Sequence, residues 1–99
     1  MLNINKTIEN GKAALSLEGR LDTTTAPDLD KVLKEVLGSV NELTLDFSAL
    51  EYISSAGLRV LLSAQKIMNK QGEMKITHVN EIVREIFDVT GFTDILTIE

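Results

Sequence analysis

Apolar and polar positions alternate along the first part of the chain. Leu2, Ile4 and Ile8 share one parity with Lys6, while Asn3, Asn5, Thr7 and Glu9 share the other. A period of two is the signature of a strand with one wet face. Asn10-Gly11 follows, a pair that accepts positive φ at both positions and so predicts a tight hairpin. Alternation resumes over residues 12–18 with Ala13, Leu15 and Leu17 inward. The first two strands are expected to form an antiparallel hairpin that ends at Gly19-Arg20-Leu21-Asp22.

The period then changes. Leu29, Val32, Leu33, Val36 and Leu37 recur at helical spacing and make one stripe. Thr23-Thr24-Thr25-Ala26-Pro27 precedes them as a helix start, with a threonine cap and an early proline. Gly38 stands where helices commonly stop. Leu43, Leu45 and Phe47, set against Thr44 and Asp46, predict a strand over 42–47. A short link then leads to Ser54-Ser55-Ala56-Gly57 and a second helix reaching Lys70. Its apolar residues, Leu58, Val60, Leu61, Leu62, Ala64, Ile67 and Met68, cover more than one face, so it is expected to be the more deeply buried. Gln71-Gly72 closes it. Met74 and Ile76 mark a fourth strand. Asn80 caps a third helix carrying Ile82, Val83, Ile86, Phe87 and Val89, and Gly91 ends it. Ile95 and Ile98 predict a short last strand.

This order, β-β-α-β-α-β-α-β, predicts an α/β fold: a mixed sheet of four to five strands, an N-terminal hairpin followed by right-handed parallel crossovers. Parallel strands covered on both faces read as continuous apolar runs, and these alternate instead. The helices are therefore expected on one face of the sheet, with the other face polar and open. No repeat or linker interrupts the pattern, so residues 1–99 are read as one domain.

Composition narrows the chemistry. There is no cysteine and one histidine, which excludes disulfides and thiol chemistry and leaves no metal site or cofactor to expect. Fifteen acidic residues against ten basic ones give a net charge of −5. Such a balance speaks against direct contact with nucleic acid or an anionic membrane. No apolar run suits a membrane span, and Met1-Leu2-Asn3-Ile4-Asn5-Lys6 lacks a signal-peptide core, so a cytoplasmic location is expected.

Catalysis finds little support. Ile53-Ser54-Ser55-Ala56-Gly57 departs from the G-x-S-x-G elbow, and a triad would have to be built on His78, which reads as a strand-end residue. No phosphate-cradling glycine motif is present. No catalytic residue is therefore expected, and a small serine hydrolase or a lone nucleotide-binding domain are the weaker readings. The two serines before the second helix keep two roles open. Either can cap the helix through its hydroxyl. Alternatively, the helix N-terminus can stabilise a phosphoryl group on one of them, because its N–H groups and dipole favour negative charge. Arg59, four residues after Ser55, lies on the same helical face, where it can pair with a phosphate or lie along the surface. No Lys or Arg occurs between Lys34 and Arg59, whereas Glu35, Glu42, Asp46 and Glu51 do.

The run from Asp46 to Leu62, Asp-Phe-Ser-Ala-Leu-Glu-Tyr-Ile-Ser-Ser-Ala-Gly-Leu-Arg-Val-Leu-Leu, resembles the signature of STAS domains of the anti-sigma factor antagonist family. Gly19-Arg20-Leu21-Asp22 is similar to the family's earlier G-x-L-D element, and Val83, Phe87 and Gly91-Phe92 to its C-terminal pattern. The resemblance implies a switch. The unphosphorylated antagonist binds an anti-sigma factor that is also a serine kinase, which frees the sigma factor; phosphorylation ends the complex, and a PP2C-type phosphatase resets it. By position, Ser55 is the implied acceptor and Ser54 the second choice, since many members carry Asp where this chain has Ser54. Asp22, Thr23, Ser54, Ser55, Ala56, Gly57 and Arg59 are the implied partner-binding residues. A non-switching STAS interaction module is the alternative, and transporter or stressosome versions are expected to carry further segments.

Overall fold

The computed structural model describes residues 2–99. Met1, the first residue of the stretch read as lacking a leader, lies outside them. Strands β1 (Leu2–Glu9) and β2 (Lys12–Leu21) form the expected antiparallel hairpin. Its turn is made by Asn10 and Gly11, both at positive φ (51° and 77°), the geometry that matches strand twist. Helix α1 (Ala26–Val36) leads to β3 (Glu42–Ile53), α2 (Ser55–Gln71) to β4 (Glu73–Thr77), and α3 (Glu81–Thr90) follows. The sheet order is β1-β2-β3-β4, with the β2–β3 and β3–β4 pairs parallel.

The inward positions of β2, β3 and β4, including Leu15, Leu17, Leu43, Leu45, Met74 and Ile76, bury against Leu29, Leu33, Leu61, Met68, Val83 and Phe87 from the three helices, whereas on β1 Leu2 is buried, Ile4 is half-buried, and Lys6 and Ile8 of the same parity are exposed. The alternate positions, Asn5, Thr7, Ser16, Thr44 and Asp46, remain on a wet face. The core is aliphatic apart from Phe47 and Phe87, whose ring centroids lie 6.4 Å apart. Helix α2 buries one stripe rather than several faces: Leu58, Leu61, Ala64, Gln65 and Met68 are buried, while Ile67 is 41% exposed. A single sheet face with α1 alongside offers α2 cover on one side only, so its wider apolar surface does not translate into deeper burial.

Two further expectations change. Strand β3 does not stop near residue 47 but runs to Ile53. Its pairing with β2 slips twice: Ser16 opposes Asp46 but Glu18 opposes Ala49, and Gly19 opposes Leu50 but Arg20 opposes Tyr52. Each slip gives β3 one extra residue, a bulge. The buried residues therefore pass from a spacing of two, Leu43-Leu45-Phe47, to a spacing of three, Phe47-Leu50-Ile53. The short last strand shrinks to a single parallel bridge between Ile98 and Ile76. Gly91, at φ 80°, ends α3 and the chain turns at once into a 3-10 helix, Phe92–Asp94. Leu96 N–H then bonds the Phe92 carbonyl (2.8 Å), which places Leu96 in the core and leaves Ile95 45% exposed.

Candidate functional site

Strands β2 and β3 end side by side, with Leu21 opposite Ile53. The ladder continues one step further, because the Ser54 N–H bonds the Leu21 carbonyl at 2.8 Å. Helices α1 and α2 both begin at this edge. The C-terminal edge of a parallel sheet is where α/β folds usually place their functional groups. Asp22, Thr23, Ser54 and Ser55 thereby lie at one edge although 30 residues stand between Thr23 and Ser54 in the sequence.

The start of α1 is closed on itself. The Asp22 Oδ1 accepts hydrogen bonds from the Thr24 N–H (3.0 Å) and the Thr25 N–H (3.1 Å). The Thr25 hydroxyl accepts from the Asp22 N–H (2.9 Å) and donates to the Arg20 carbonyl (2.8 Å). Thr25 stands at the N-cap position, as expected, but its side chain does not cap the helix. Its hydroxyl folds back onto β2, and the Asp22 carboxylate serves the turn instead. Partial desolvation pushes the Asp22 carboxyl upward, but the hydrogen bonds from Thr25 and Thr24 outweigh it and hold the group below the ordinary aspartate value. Thr23 is exposed at the tip of the turn.

The start of α2 divides its labour between two serines. Ser54 has extended backbone (φ −100°, ψ 175°), the cap conformation, and its hydroxyl accepts from the Gly57 N–H at 3.5 Å. Ser55 is the first residue of the helix and is exposed. Among the described residues, its hydroxyl has no hydrogen-bond partner. Gly57 is buried because the helix starts tight against the strand ends: a Cβ there would sit 2.7 Å from Leu21 Cγ and 2.9 Å from Ile53 Cγ1. Glycine at this position lets α2 approach the sheet and so fixes where Ser55 stands. Ala56 is half-buried, and Arg59 lies exposed one turn further along.

One feature of this edge escapes the sequence patterns. The Arg20 guanidinium lies 4.6 Å from the centre of the Tyr52 ring. The two residues are directly opposed in the β2–β3 register, which only the second bulge establishes. The available signal is positional: Arg20 adjoins Leu21 in the G-x-L-D element, on the parity opposite the core. On the open face, His78 Nδ1 lies 3.2 Å from Asp46 Oδ1. The Ser48 N–H, 2.9 Å from the same oxygen, is the main cause of an Asp46 carboxyl held below its ordinary value against partial desolvation, with His78 adding to the effect. Among the described residues, no three His, Cys, Asp or Glu side chains converge as a metal site. Among the described residues, no helix is long and apolar enough to cross a membrane.

A strand-end serine on a helix N-terminus, set in a mixed sheet covered on one face, defines a class. A family model of the STAS domain matches residues 3–99, and the chain belongs to that family. Its relatives include a Bordetella bronchiseptica protein with the provisional name anti-sigma factor antagonist BtrV. The two are 35% identical over 91 residues, covering 90% of this chain and 78% of that protein. The fold is shared with an anti-sigma factor antagonist from Mycobacterium paratuberculosis (TM-score 0.90, 23% identity, 99% of this chain and 85% of that one). It is shared also with the anti-sigma factor antagonist SpoIIAA of Bacillus, solved in unphosphorylated form (TM-score 0.77) and phosphorylated form (0.75). Identity to SpoIIAA is 15%, and the match covers all of this chain and 87% and 91% of those two.

Proposed function

We propose that this protein is an anti-sigma factor antagonist, one folded unit over residues 1–99 that works in the cytoplasm. Its unphosphorylated form binds an anti-sigma factor with serine-kinase activity and so frees a sigma factor. Phosphorylation of Ser55 ends the binding, and a PP2C-type phosphatase restores it. The chain acts as a docking surface, not as an enzyme. The observation that carries this reading is the division of labour at α2: Ser54 spends its hydroxyl on the cap, and Ser55 presents an exposed, unengaged hydroxyl at the first helical position.

The physical chemistry supports the switch. A phosphoserine adds about −1.5 to −2 charge and three acceptor oxygens. On a helix N-terminus that charge is stabilised locally, so the fold itself tolerates it. The fold of SpoIIAA, solved with and without phosphate, is compatible with the same economy. Across an interface the phosphate acts differently. It is added at the edge that also carries the Asp22 turn, and a partner must desolvate it. Turning binding from 99:1 to 1:99 takes about 5.5 kcal/mol of differential affinity. A buried, uncompensated charge costs several kcal/mol, which is the required scale.

Binding of Ser55→Ala and Ser55→Asp to the anti-sigma kinases encoded in the source genome tests this. Ser55→Ala is expected to bind as the parent does and to resist phosphorylation. Ser55→Asp is expected to bind at least tenfold more weakly, about 1.4 kcal/mol. Equal binding by both variants contradicts the switch.

A further inference from the structure

Charge is segregated between two helices. Helix α2 carries Arg59, Lys66 and Lys70 and no acid. Helix α3 carries Glu81, Glu85 and Asp88 with a single base, Arg84. All of these side chains are exposed. Elsewhere the chain pairs its charges internally: Lys6 with Glu35, Lys12 with Glu42, Lys34 with Asp30 and Lys75 with Glu99. Among the described residues, none of these ion pairs involves α2 or α3, so both helices keep their charge for solvent or for another molecule.

Both helices also keep apolar surface. On α3, Val89 is 78% exposed and Ile82 60%, the two highest values among the large apolar side chains of the described residues, and Ile86 is half-buried. On α2, Ile67 is 41% exposed and Val60 is half-buried. The two surfaces share one plan. On α3 each of these apolar residues directly follows an acid: Glu81-Ile82, Glu85-Ile86, Asp88-Val89. At spacings of four and three the acids form one line along the helix, and the apolar residues form a second line beside it. Arg84, two residues from both Ile82 and Ile86, falls on another side. On α2, Arg59-Val60 and Lys66-Ile67 repeat the plan with the opposite sign, and Lys70 extends the basic line four residues past Lys66.

We propose that a second copy of this chain docks here, α3 of one copy on α2 of the other. The argument is charge complementarity, and the pattern fixes its direction. On both helices the apolar line lies on the same side of the charged line, because it is made of the next residue each time. Two such faces brought together in parallel would set charge against apolar groups. An antiparallel approach sets acid against base and apolar against apolar. Spacing then fixes the register. Lys66 and Lys70 stand four residues apart, as do Glu81 and Glu85, so each pair spans about 6 Å along its helix. In the antiparallel pairing Lys70 meets Glu81, Lys66 meets Glu85, and Ile67 enters between Ile82 and Ile86. The ion pairs align the contact, and burial of the apolar lines drives it. Each copy holds both halves. The register covers the C-terminal part of α2 and leaves its Ser55 end open, so self-association goes beyond the function proposed above and does not depend on it.

The test is the average mass of the full chain in solution, by sedimentation equilibrium, as concentration is raised to about 1 mM, within reach of weak, transient contacts. The parent's mass is expected to rise above that of a monomer. Lys66→Glu with Lys70→Glu, and Glu81→Lys with Glu85→Lys, should each associate at least tenfold more weakly. An equimolar mixture of these two double variants should recover the parent's association, because acid again meets base between unlike copies. Ile82→Gln should weaken association about tenfold without touching any charge. Melting curves show that each variant is folded. A parent that stays monomeric at every concentration overturns the proposal. So do charge reversals or Ile82→Gln that associate as the parent does, and so does a mixture that fails to recover association.

Discussion

Two helices begin at the same edge of the sheet, and they begin differently. At α1 the groups of the turn bind one another: Asp22 holds Thr24 and Thr25, and Thr25 bridges Asp22 and Arg20. At α2 one serine caps and its neighbour is left over. The first start is built to stay as it is. The second keeps a hydroxyl in the open, on the end of a helix where added negative charge is tolerated. On the function proposed above, a modification site here needs no special strain or cleft, only an exposed hydroxyl that the cap does not use.

The largest expected effect comes from pushing the two starts apart. Gly57→Ala places a Cβ against Leu21 and Ile53. Overpacking of this kind costs about 1–3 kcal/mol. At about 4–8 °C per kcal/mol the loss is easily seen in a thermal melt. Because α2 must shift, Ser55 should also become a poorer kinase substrate. Thr25→Val comes next. It preserves shape but leaves the Arg20 carbonyl and the Asp22 N–H, both in part-buried hydrogen bonds, without their partner, a loss of about 1–3 kcal/mol. Urea midpoints would measure it, and phosphorylation of Ser55 should be unaffected. The two variants therefore separate damage to the closed start from damage to the open one.

Ser54→Ala should cost only about 0.5 kcal/mol, the low end for a cap, because its hydrogen bond is long at 3.5 Å. Ser55→Ala should leave stability within about 0.5 kcal/mol. A larger loss at Ser55 than at Ser54 would reverse the assignment of cap and free hydroxyl. Acid should also act on the closed start. The Asp22 and Asp46 carboxyls titrate below their ordinary value in the folded chain. Stability they contribute is present in full above about pH 3.9, the unfolded value, and is lost as pH falls through the lower folded values. Asp22→Asn and Asp46→Asn should each flatten the stability profile in that acid window.

Much of this architecture is legible in the chain itself. Period two marks β1 and β2, Asn10-Gly11 marks their turn, and Asn80 and Gly91 bracket α3 as their residue types suggest. The end of β3 is not legible, because two bulges turn its inward spacing from two to three and a strand with that rhythm mimics a loop. The last strand differs for another reason: Ile95 and Ile98 have strand-like composition, but the turn after Gly91 keeps Ile95 in helical geometry at the end of the 3-10 helix and leaves a single bridge at Ile98. At the site, the pattern names both serines and cannot rank them, since either hydroxyl suits a cap. Only the backbone geometry at Ser54 does so. The Arg20–Tyr52 pair is set by the bulged register; the sequence marks only that Arg20 lies on the non-core parity beside Leu21, and not which residue it meets.

The central claim is that the leftover hydroxyl, not the capping one, receives the phosphate. Incubation of the parent chain, Ser54→Ala and Ser55→Ala with an anti-sigma kinase of the source genome and ATP, followed by fragmentation mass spectrometry, tests it directly. The account predicts one phosphate on Ser55 in the parent and in Ser54→Ala, and none in Ser55→Ala. Phosphate found on Ser54 in the parent, or undiminished in Ser55→Ala, would contradict it.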